Sequence, residues 1–464
     1  MSVKVRFAPS PTGFLHIGGA RSALFNYLFA RHNNGKFVLR IEDTDTARSK
    51  KEFEENIIDS LKWLKMDWEE FYRQSERMEI YKKYLDQLLA ENKAYKCFCS
   101  KEEIEEKRRK YELMKLPFRY DGKCGKLTGE ETGKLEAEGK PYVVRFRITR
   151  GHTEINDLVR GKITFDNKEL DDFVLTRSDK VPTYNFCVVI DDALMEITHV
   201  FRGEEHISNT PRQVELFKAL GFKVPDFAHI PLILNKDRTK MSKRNDTVAV
   251  TEYRNEGFHP EAIINFLSLL GCSYGSNDTI YDLKTLIEKF SVEKINKSPA
   301  VFDMDKLEWM NGFYTRQRTD AEIAGLTKKY LTDKGYLVED EKLIRVMKLE
   351  KERLKKMEDI VENAGYFFTD NIDYDKEAYE KHFKNAETLK LISEYEHDLR
   401  HLSPFDAANL EKFSREFVEK RGKKLKDLVH PVRLALTGKL VSSGLFEVME
   451  ILGKDVVLHR LNIQ

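Results

Sequence analysis

The chain of 464 residues holds only five cysteines, too few for a disulfide scaffold at this length, so reduced thiols are expected and any clustering of them points to metal. It also lacks any stretch approaching the roughly 18 consecutive apolar residues of a membrane span, so no membrane partner is expected. The opening Met1-Ser2-Val3-Lys4-Val5-Arg6-Phe7 has neither the apolar core nor the cleavage site of a signal peptide. A soluble, cytoplasmic protein is the expectation. An excess of one charge sign is missing too: 79 Lys+Arg stand against 78 Asp+Glu, a formal net charge of +1. Net charge therefore does not betray a polyanionic partner, although Lys107-Arg108-Arg109-Lys110 and Lys420-Arg421-Gly422-Lys423-Lys424-Leu425-Lys426 concentrate positive charge locally. A solvated helix face is the simpler reading of either run alone. No internal repeat or low-complexity linker stands out.

What is present is a chain long enough for about three domains at roughly 150 residues each. Val3, Val5 and Phe7 alternate as in a strand, the pattern breaks at Pro9-Ser10-Pro11-Thr12-Gly13, and helical spacing resumes from His16 through Ala20, Leu24 and Leu28. A second strand, Phe37 to Ile41, ends in Glu42-Asp43, and a helix follows with Phe53, Ile57, Leu61 and Leu64 on one face. This alternation predicts a parallel α/β sheet. Between 95 and 182 the grammar changes to three cysteines, a basic helix and the alternating run Tyr142 to Ile148, which predicts an inserted α+β module. Strand signals return at Phe186-Cys187-Val188-Val189-Ile190 and at His199-Val200-Phe201, so the insertion splits the sheet. From about Thr315 helical segments take over, with Val346, Leu349, Arg353, Met357 and Ile360 at three- and four-residue spacings. The expected boundaries are 1–94 and 183–250 for the halves of a Rossmann-like catalytic domain, 95–182 for the insertion, 251–314 for a helical connecting region and 315–464 for an all-helical domain.

The first turn carries chemistry. Strand, loop and helix deliver His16-Ile17-Gly18-Gly19 to a helix N-terminus, where free backbone N–H groups and the helix dipole favour an anion. Gly18 and Gly19 admit a base or phosphate close to the backbone, and His16 can donate to a phosphate oxygen as charge builds on it. Far downstream, Lys240-Met241-Ser242-Lys243-Arg244 places two ammonium groups around a small hydroxyl residue, a clamp suited to a triphosphate and its departing diphosphate. No Ser-His-Asp or Cys-His signature suggests a protein nucleophile.

Together these two stretches resemble the signature sequences of class I aminoacyl-tRNA synthetases. Arg6-Phe7-Ala8-Pro9-Ser10-Pro11-Thr12-Gly13, Arg40-Ile41-Glu42-Asp43-Thr44-Asp45, Pro182-Thr183-Tyr184-Asn185-Phe186, Phe201-Arg202-Gly203-Glu204-Glu205-His206 and, near the end, Gly444-Leu445-Phe446-Glu447-Val448-Met449 look like the bacterial glutamyl-tRNA synthetases. The resemblance runs from residue 3 to the end. It implies that glutamate is activated by ATP with Mg²⁺ and passed to the terminal adenosine of tRNA(Glu), with tRNA bound before the adenylate forms efficiently. The insertion would then hold the acceptor end and the helical domain the anticodon, in a monomer.

Carried over residue by residue, the resemblance assigns ATP to Pro9, Ser10, Gly13, His16, Gly18, Gly19, Lys240, Met241, Ser242, Lys243 and Arg244, with His16, Lys240 and Lys243 catalytic. It assigns glutamate to Arg6, Ala8, Ser10, Glu42, Tyr184 and Arg202. Physically, a bidentate guanidinium suits the substrate's side-chain carboxylate, and Glu42 suits its ammonium group. A plain salt bridge at the sheet end is the competing reading of Arg6 and Glu42. Where some members carry Asn four residues after the Tyr, this chain has Val188, which leaves that contact to another residue, with Asn185 the candidate.

Cys97-Phe98-Cys99 and Cys124 supply three soft ligands, one short of a closed zinc site. Some relatives add a His two residues after the third Cys, where this chain has Lys126. Tyr120 is the alternative fourth ligand, as in the shorter glutamyl-queuosine tRNA synthetases, and reduced cysteines left from a lost site are the rival reading. Cys187 and Cys272 lie in apolar runs and read as core. A glutaminyl-tRNA synthetase would carry C-terminal β-barrels, and a silent paralogue would be expected to lose His16 or Lys243. A copy that also charges tRNA(Gln) with glutamate remains the alternative.

Overall fold

The computed structural model describes residues 2–116, 118–239, 241, 249–275 and 279–463. The chain forms two compact units, Met1–Tyr253 with Ile263–Met304 and Arg254–Ala262 with Asp305–Gln464.

The first unit opens on three parallel strands, β1 (Lys4–Phe7), β2 (Lys36–Ile41) and β3 (Glu70–Arg73), in the order β1-β2-β3. α1 (Ile17–His32) and α2 (Lys51–Trp63) make the crossovers. Phe37 to Ile41 are all buried, as expected for a parallel strand covered on both faces. After α3 (Met78–Ala90) comes the insertion: β4 (Ala94–Cys97), α4 (Lys101–Leu113), α5 (Gly129–Ala137), β5 (Val143–Phe146), β6 (His152–Asp157), β7 (Gly161–Asp166) and β8 (Val174–Thr176). β4, β5 and β8 form one antiparallel sheet and β6–β7 a hairpin. Capping boxes at Ser100/Glu103 and Thr128/Glu131 start its two helices. The chain then returns through α6 (Tyr184–Leu194), β9 (His199–Gly203), α7 (Thr210–Ala219) and β10 (Asp226–Ile230), with β9 and β10 parallel. Thr198 joins the two halves: its N–H donates to Lys4 O at 2.8 Å, and Lys4 N–H donates to Thr198 Oγ1 at 2.9 Å. β11 (Ile233–Leu234) and β12 (Ala300–Val301) pair as a short parallel ladder.

Two expectations need correction. Phe186 to Ile190 is the middle of α6, not a strand. These residues share one core with β2, α3 and the insertion strands, and a helix buried all round shows no amphipathic period, so its Val-Val-Ile run imitates a strand. In the second unit, where the described elements are all helical, the periodic run from Val346 to Ile360 is two helices, Asp340–Glu350 and Asp359–Ala364. Asp359 Oδ2 accepts from Lys355 N–H and Lys356 N–H at 3.0 and 2.8 Å, and Asn311 Nδ2 donates to Lys355 O at 2.6 Å. Side chains thus satisfy the backbone where the helix stops. Leu343, Val346, Ile392, Leu410, Val432 and Val448 belong to the continuous core of this unit.

One charged network underlies the first unit's sheet. Arg40, on β2 and fully buried, donates through Nη1 to Asp192 Oδ1 at 2.7 Å and through Nη2 to Glu42 Oε1 at 3.1 Å. Asp192 also receives Arg6 Nε at 3.1 Å. Its neighbour Asp191 is held by Arg77 Nε at 2.7 Å, Gln74 Nε2 at 2.9 Å and the Tyr81 hydroxyl at 2.8 Å. Burying these charges is tolerable only because each has several partners. Arg40→Met, which leaves the carboxylates under-compensated, is expected to destabilise the first unit by about 3–5 kcal/mol. Urea unfolding followed by tryptophan fluorescence and far-UV circular dichroism measures it, and a loss below about 1 kcal/mol would show the network to be replaceable by apolar packing.

Candidate active site

The C-terminal ends of β1, β2 and β9 and the N-termini of α1 and α6 surround a cleft of about 850 Å³, where an open parallel sheet offers its ligand site. At its floor His16 is the N-cap of α1. Its Nδ1 accepts from Gly19 N–H at 3.2 Å, which in a neutral ring puts the imidazole proton on Nε2. A Cβ at Gly18 would lie 3.2 Å from Cε1 and Nδ1 of that ring, so this glycine makes room for the histidine itself as well as for any ligand. Pro9, Ser10 and Gly13 line the same cleft, as do Gly18 and Gly19.

Of the second signature stretch, Met241 lines the cleft, and its N–H donates to Ile233 O at 3.2 Å. Lys240, Ser242, Lys243 and Arg244 lie outside the described residues. Beyond them, Ala249 bridges His16 and Val250 N–H donates to Leu15 O at 2.8 Å. Both flanks of the lysine-rich stretch are therefore anchored at this cleft.

The residues expected to receive glutamate gather here too: Arg6, Ala8, Ser10, Glu42, Tyr184 and Arg202 all line the cleft. Arg6 and Glu42 do form ion pairs, but not with each other. Arg6 meets Asp192, and Glu42 meets Arg40. Burial pushes the Glu42 carboxyl up to about 7 against the pull of Arg40 and Arg6. At Asp192 burial also pushes upward, but the two guanidiniums win and hold it below the usual carboxylate range. Arg202 differs from its neighbours. Only 6% exposed, it donates to neutral groups: Nε to His229 Nε2 at 3.1 Å, Nη1 to Gln213 Oε1 at 2.8 Å and Nη2 to Thr210 Oγ1 at 2.8 Å. Burial lowers its pKa, the mark of a desolvated cation without adjacent counter-charge. Asn185, the candidate for the contact that Val188 leaves open, is not among the residues lining the cleft; its Oδ1 accepts from Gln213 Nε2 at 2.9 Å, one bond removed from Arg202. Val188 is core.

Sequence reasoning missed several groups. Asp192, which orients Arg6, lies two residues past the run misread as a strand, on the same helix. Arg21, Glu205, His206 and Asn209 also line the cleft. His206 ends the Phe201–His206 stretch, which by itself gives it no role; burial, with Arg202 next, pushes its pKa down to about 4. Its ring lies 5.7 Å from that of Tyr184.

Away from this cleft, the sulfur atoms of Cys97, Cys99 and Cys124 lie within 4.8 Å of one another. Cys99 and Cys124 Sγ are 3.6 Å apart, and the Tyr120 hydroxyl sits 3.2 Å from Cys97 Sγ and 3.5 Å from Cys99 Sγ. Lys126 is exposed, whereas Tyr120 is buried, with the Arg145 guanidinium 3.9 Å over its ring. Cys187 and Cys272 are buried, as expected. Of the basic runs, Lys107 to Lys110 lies on α4, with Arg108 and Arg109 exposed, and the Lys420–Lys426 segment links helices Ala407–Glu419 and Leu425–Thr437.

Residues 2–309 match the family described as tRNA synthetases class I (E and Q), catalytic domain, and residues 322–464 match the anticodon binding domain family. Similar curated proteins include the glutamate--tRNA ligase of Thermodesulfovibrio yellowstonii, 46% identical over 99% of this chain and 98% of its own length. That of Carboxydothermus hydrogenoformans is 46% identical over 99% of both chains. Among solved structures, a glutamate tRNA ligase from Elizabethkingia meningosepticum in complex with its amino acid superposes with a TM-score of 0.89, at 36% identity over 100% of this chain and 99% of that one. With the two-part parallel sheet, the histidine-capped helix and the cation-lined cleft already in place, these matches make the chain a member of the glutamate--tRNA ligases, within the class I tRNA synthetases for E and Q.

Proposed function

We propose that the protein attaches L-glutamate to tRNA(Glu) in two steps. The α-carboxylate of glutamate attacks the α-phosphorus of MgATP and releases diphosphate; a ribose hydroxyl of the terminal adenosine then takes the glutamyl group and releases AMP. The observation that carries this reading is Arg202: a buried guanidinium held by neutral partners at the edge of the cleft that His16 caps. A desolvated cation so placed favours an anionic ligand, and its planar fork suits a carboxylate. Arg6 adds a second positive group, Glu42 accepts from the substrate ammonium, and Ala8, Ser10 and Tyr184 complete the amino-acid pocket. Pro9, Ser10, Gly13, Gly18, Gly19 and Met241 take the nucleotide, with Ser242 and Arg244 beside it.

No side chain is asked to become a nucleophile. His16 donates from Nε2 to an α-phosphate oxygen, and Lys240 and Lys243 follow the charge that moves onto diphosphate, so the rate enhancement comes from positioning and preorganised charge. The insertion, 95–182, receives the acceptor end of the tRNA, where Arg108 and Arg109 offer phosphate contacts. The region 251–314 lies along the stem, and 315–464 reads the anticodon. Cys97, Cys99, Cys124 and Tyr120 would hold a structural zinc: three sulfur atoms within 4.8 Å of one another, with the Tyr120 hydroxyl 3.2 and 3.5 Å from two of them, make a compact soft donor set. Zinc would pin β4 to the Lys123–Lys126 turn and needs no part in the reaction.

Charging with radiolabelled glutamate or glutamine, using tRNA(Glu) and tRNA(Gln) separately, is expected to give glutamyl-tRNA(Glu), with a loss of about 100-fold or more in Lys243→Ala. No charging of either tRNA would sink the reading, and glutamate on tRNA(Gln) would identify a non-discriminating enzyme. Since Glu42 must be ionised to accept from an ammonium group and its carboxyl sits at about 7, kcat/KM for glutamate is expected to fall as pH drops through that value. The acid limb should flatten in Glu42→Gln, because kcat/KM reports groups of the free enzyme; an unchanged limb would remove Glu42 from this role. Elemental analysis is expected to find about one zinc per chain, lost more readily to a chelator in Tyr120→Phe; a zinc-free, fully active protein would mark the cluster as plain thiols.

A further inference from the structure

Resting on the reading that Arg202 receives a carboxylate of the substrate glutamate, we infer that Asp157 and His229 are positioning residues that orient the Arg202 fork, so that the insertion itself helps to set affinity for glutamate. Asp157 closes β6, in the insertion, and His229 lies on β10, beside β9, which carries Arg202. All three are buried.

The hydrogen bonds allow one proton arrangement. Asp157 Oδ2 lies 2.6 Å from His229 Nδ1. The same carboxylate accepts from the backbone N–H groups of Val159 at 3.0 Å, Arg160 at 2.8 Å and His229 at 3.2 Å. These three backbone donors keep it ionised, so Nδ1 carries the imidazole proton. Arg202 Nε is only a donor, so His229 Nε2, 3.1 Å away, must be bare to accept from it. His229 is therefore neutral, in the Nδ1–H form, and burial, the largest influence on it, lowers its pKa in agreement. The Asp157 charge thus reaches the guanidinium through the imidazole, without a carboxylate touching Arg202.

That indirect route has a geometric consequence. Nε of Arg202 is taken by His229, while Gln213 and Thr210 each take one N–H of Nη1 and Nη2. The second N–H of each terminal nitrogen has only partners at 3.5 Å, the Tyr184 hydroxyl and His206 O. This parallel pair is what a carboxylate uses when it binds a guanidinium end-on. On Arg6 the corresponding edge, Nε and Nη2, is taken directly by the Asp192 carboxylate, whereas on Arg202 it faces the neutral His229 and Thr210. Leu158 N–H donates to Phe227 O at 2.8 Å and fixes the end of β6 against β10, so Asp157 cannot be moved without moving the hairpin.

The test is steady-state charging by the full-length protein, with glutamate, ATP and tRNA(Glu) varied in turn. Asp157→Asn keeps shape but lets an amide donate to Nδ1, which drives the imidazole proton to Nε2 and sets two donors face to face at Arg202. Its KM for glutamate is expected to rise about 10- to 100-fold, while KM for ATP changes less than about threefold. His229→Leu should behave alike, and His229→Gln, whose amide oxygen can accept from Nε, should recover most of the loss. Thermal melts confirm folding; should His229→Leu unfold, the near-isosteric Asp157→Asn and the His229→Gln variant decide. Glutamate KM unchanged in folded Asp157→Asn, or an equal rise in the KM for ATP, would overturn the inference. Arg202→Gln separates the two levels: if it leaves glutamate KM unchanged, the pocket reading fails, and if it alone raises that KM, only the relay fails.

Discussion

Guanidinium groups buried beneath the carboxyl ends of the strands govern much of this molecule. Arg6, Arg40 and Arg202 are each less than a tenth exposed, and a charge so placed is stable only with counter-charge or dense hydrogen bonding around it. The fold meets that demand in two ways. Arg6 and Arg40 share Asp192, with Glu42 on the far side of Arg40. Arg202 has instead a cage of neutral acceptors and a carboxylate one imidazole away. The first arrangement locks α6 to β1 and β2; the second leaves a directed cation at the pocket.

The nucleotide side of the cleft rests on a different constraint. His16 ends the loop after β1 and caps α1 with its own side chain, so one residue both starts the helix and points a donor into the cleft. His16 is bridged to Ala249, and its neighbour Leu15 accepts from Val250 N–H. The helix start and the residues that follow the lysine-rich stretch are thereby held to one place, although more than 200 residues, including the insertion, separate them in the chain.

The first turn was legible because its signals are local: alternation over four residues, a proline-glycine break, then a helical period. The same holds for the basic helix of the insertion and for the helical second unit. α6 was not legible, since burial on every side erased the period that distinguishes a helix from a core strand. With it went Asp191 and Asp192, whose importance lies in what they touch. The break after Glu350 was missed for a related reason: the apolar spacing continues through it, while Asp359 and Asn311 take the backbone groups that a continuous helix would have used.

The sequence by itself determined the opening strand, loop, helix, strand, helix order, the two signature stretches and the cluster of three cysteines, because turn chemistry, periodicity and motif spacing act over a few residues. Tertiary structure alone decided which buried charges are partners. Arg6 and Asp192 stand 186 residues apart, Arg40 and Asp192 152, and Asp157 and His229 72. No local rule relates such positions. They meet because desolvation penalises an unpaired charge so heavily that the packed sheet must bring each cation to an acceptor, and that pairing becomes readable only once the strands lie side by side.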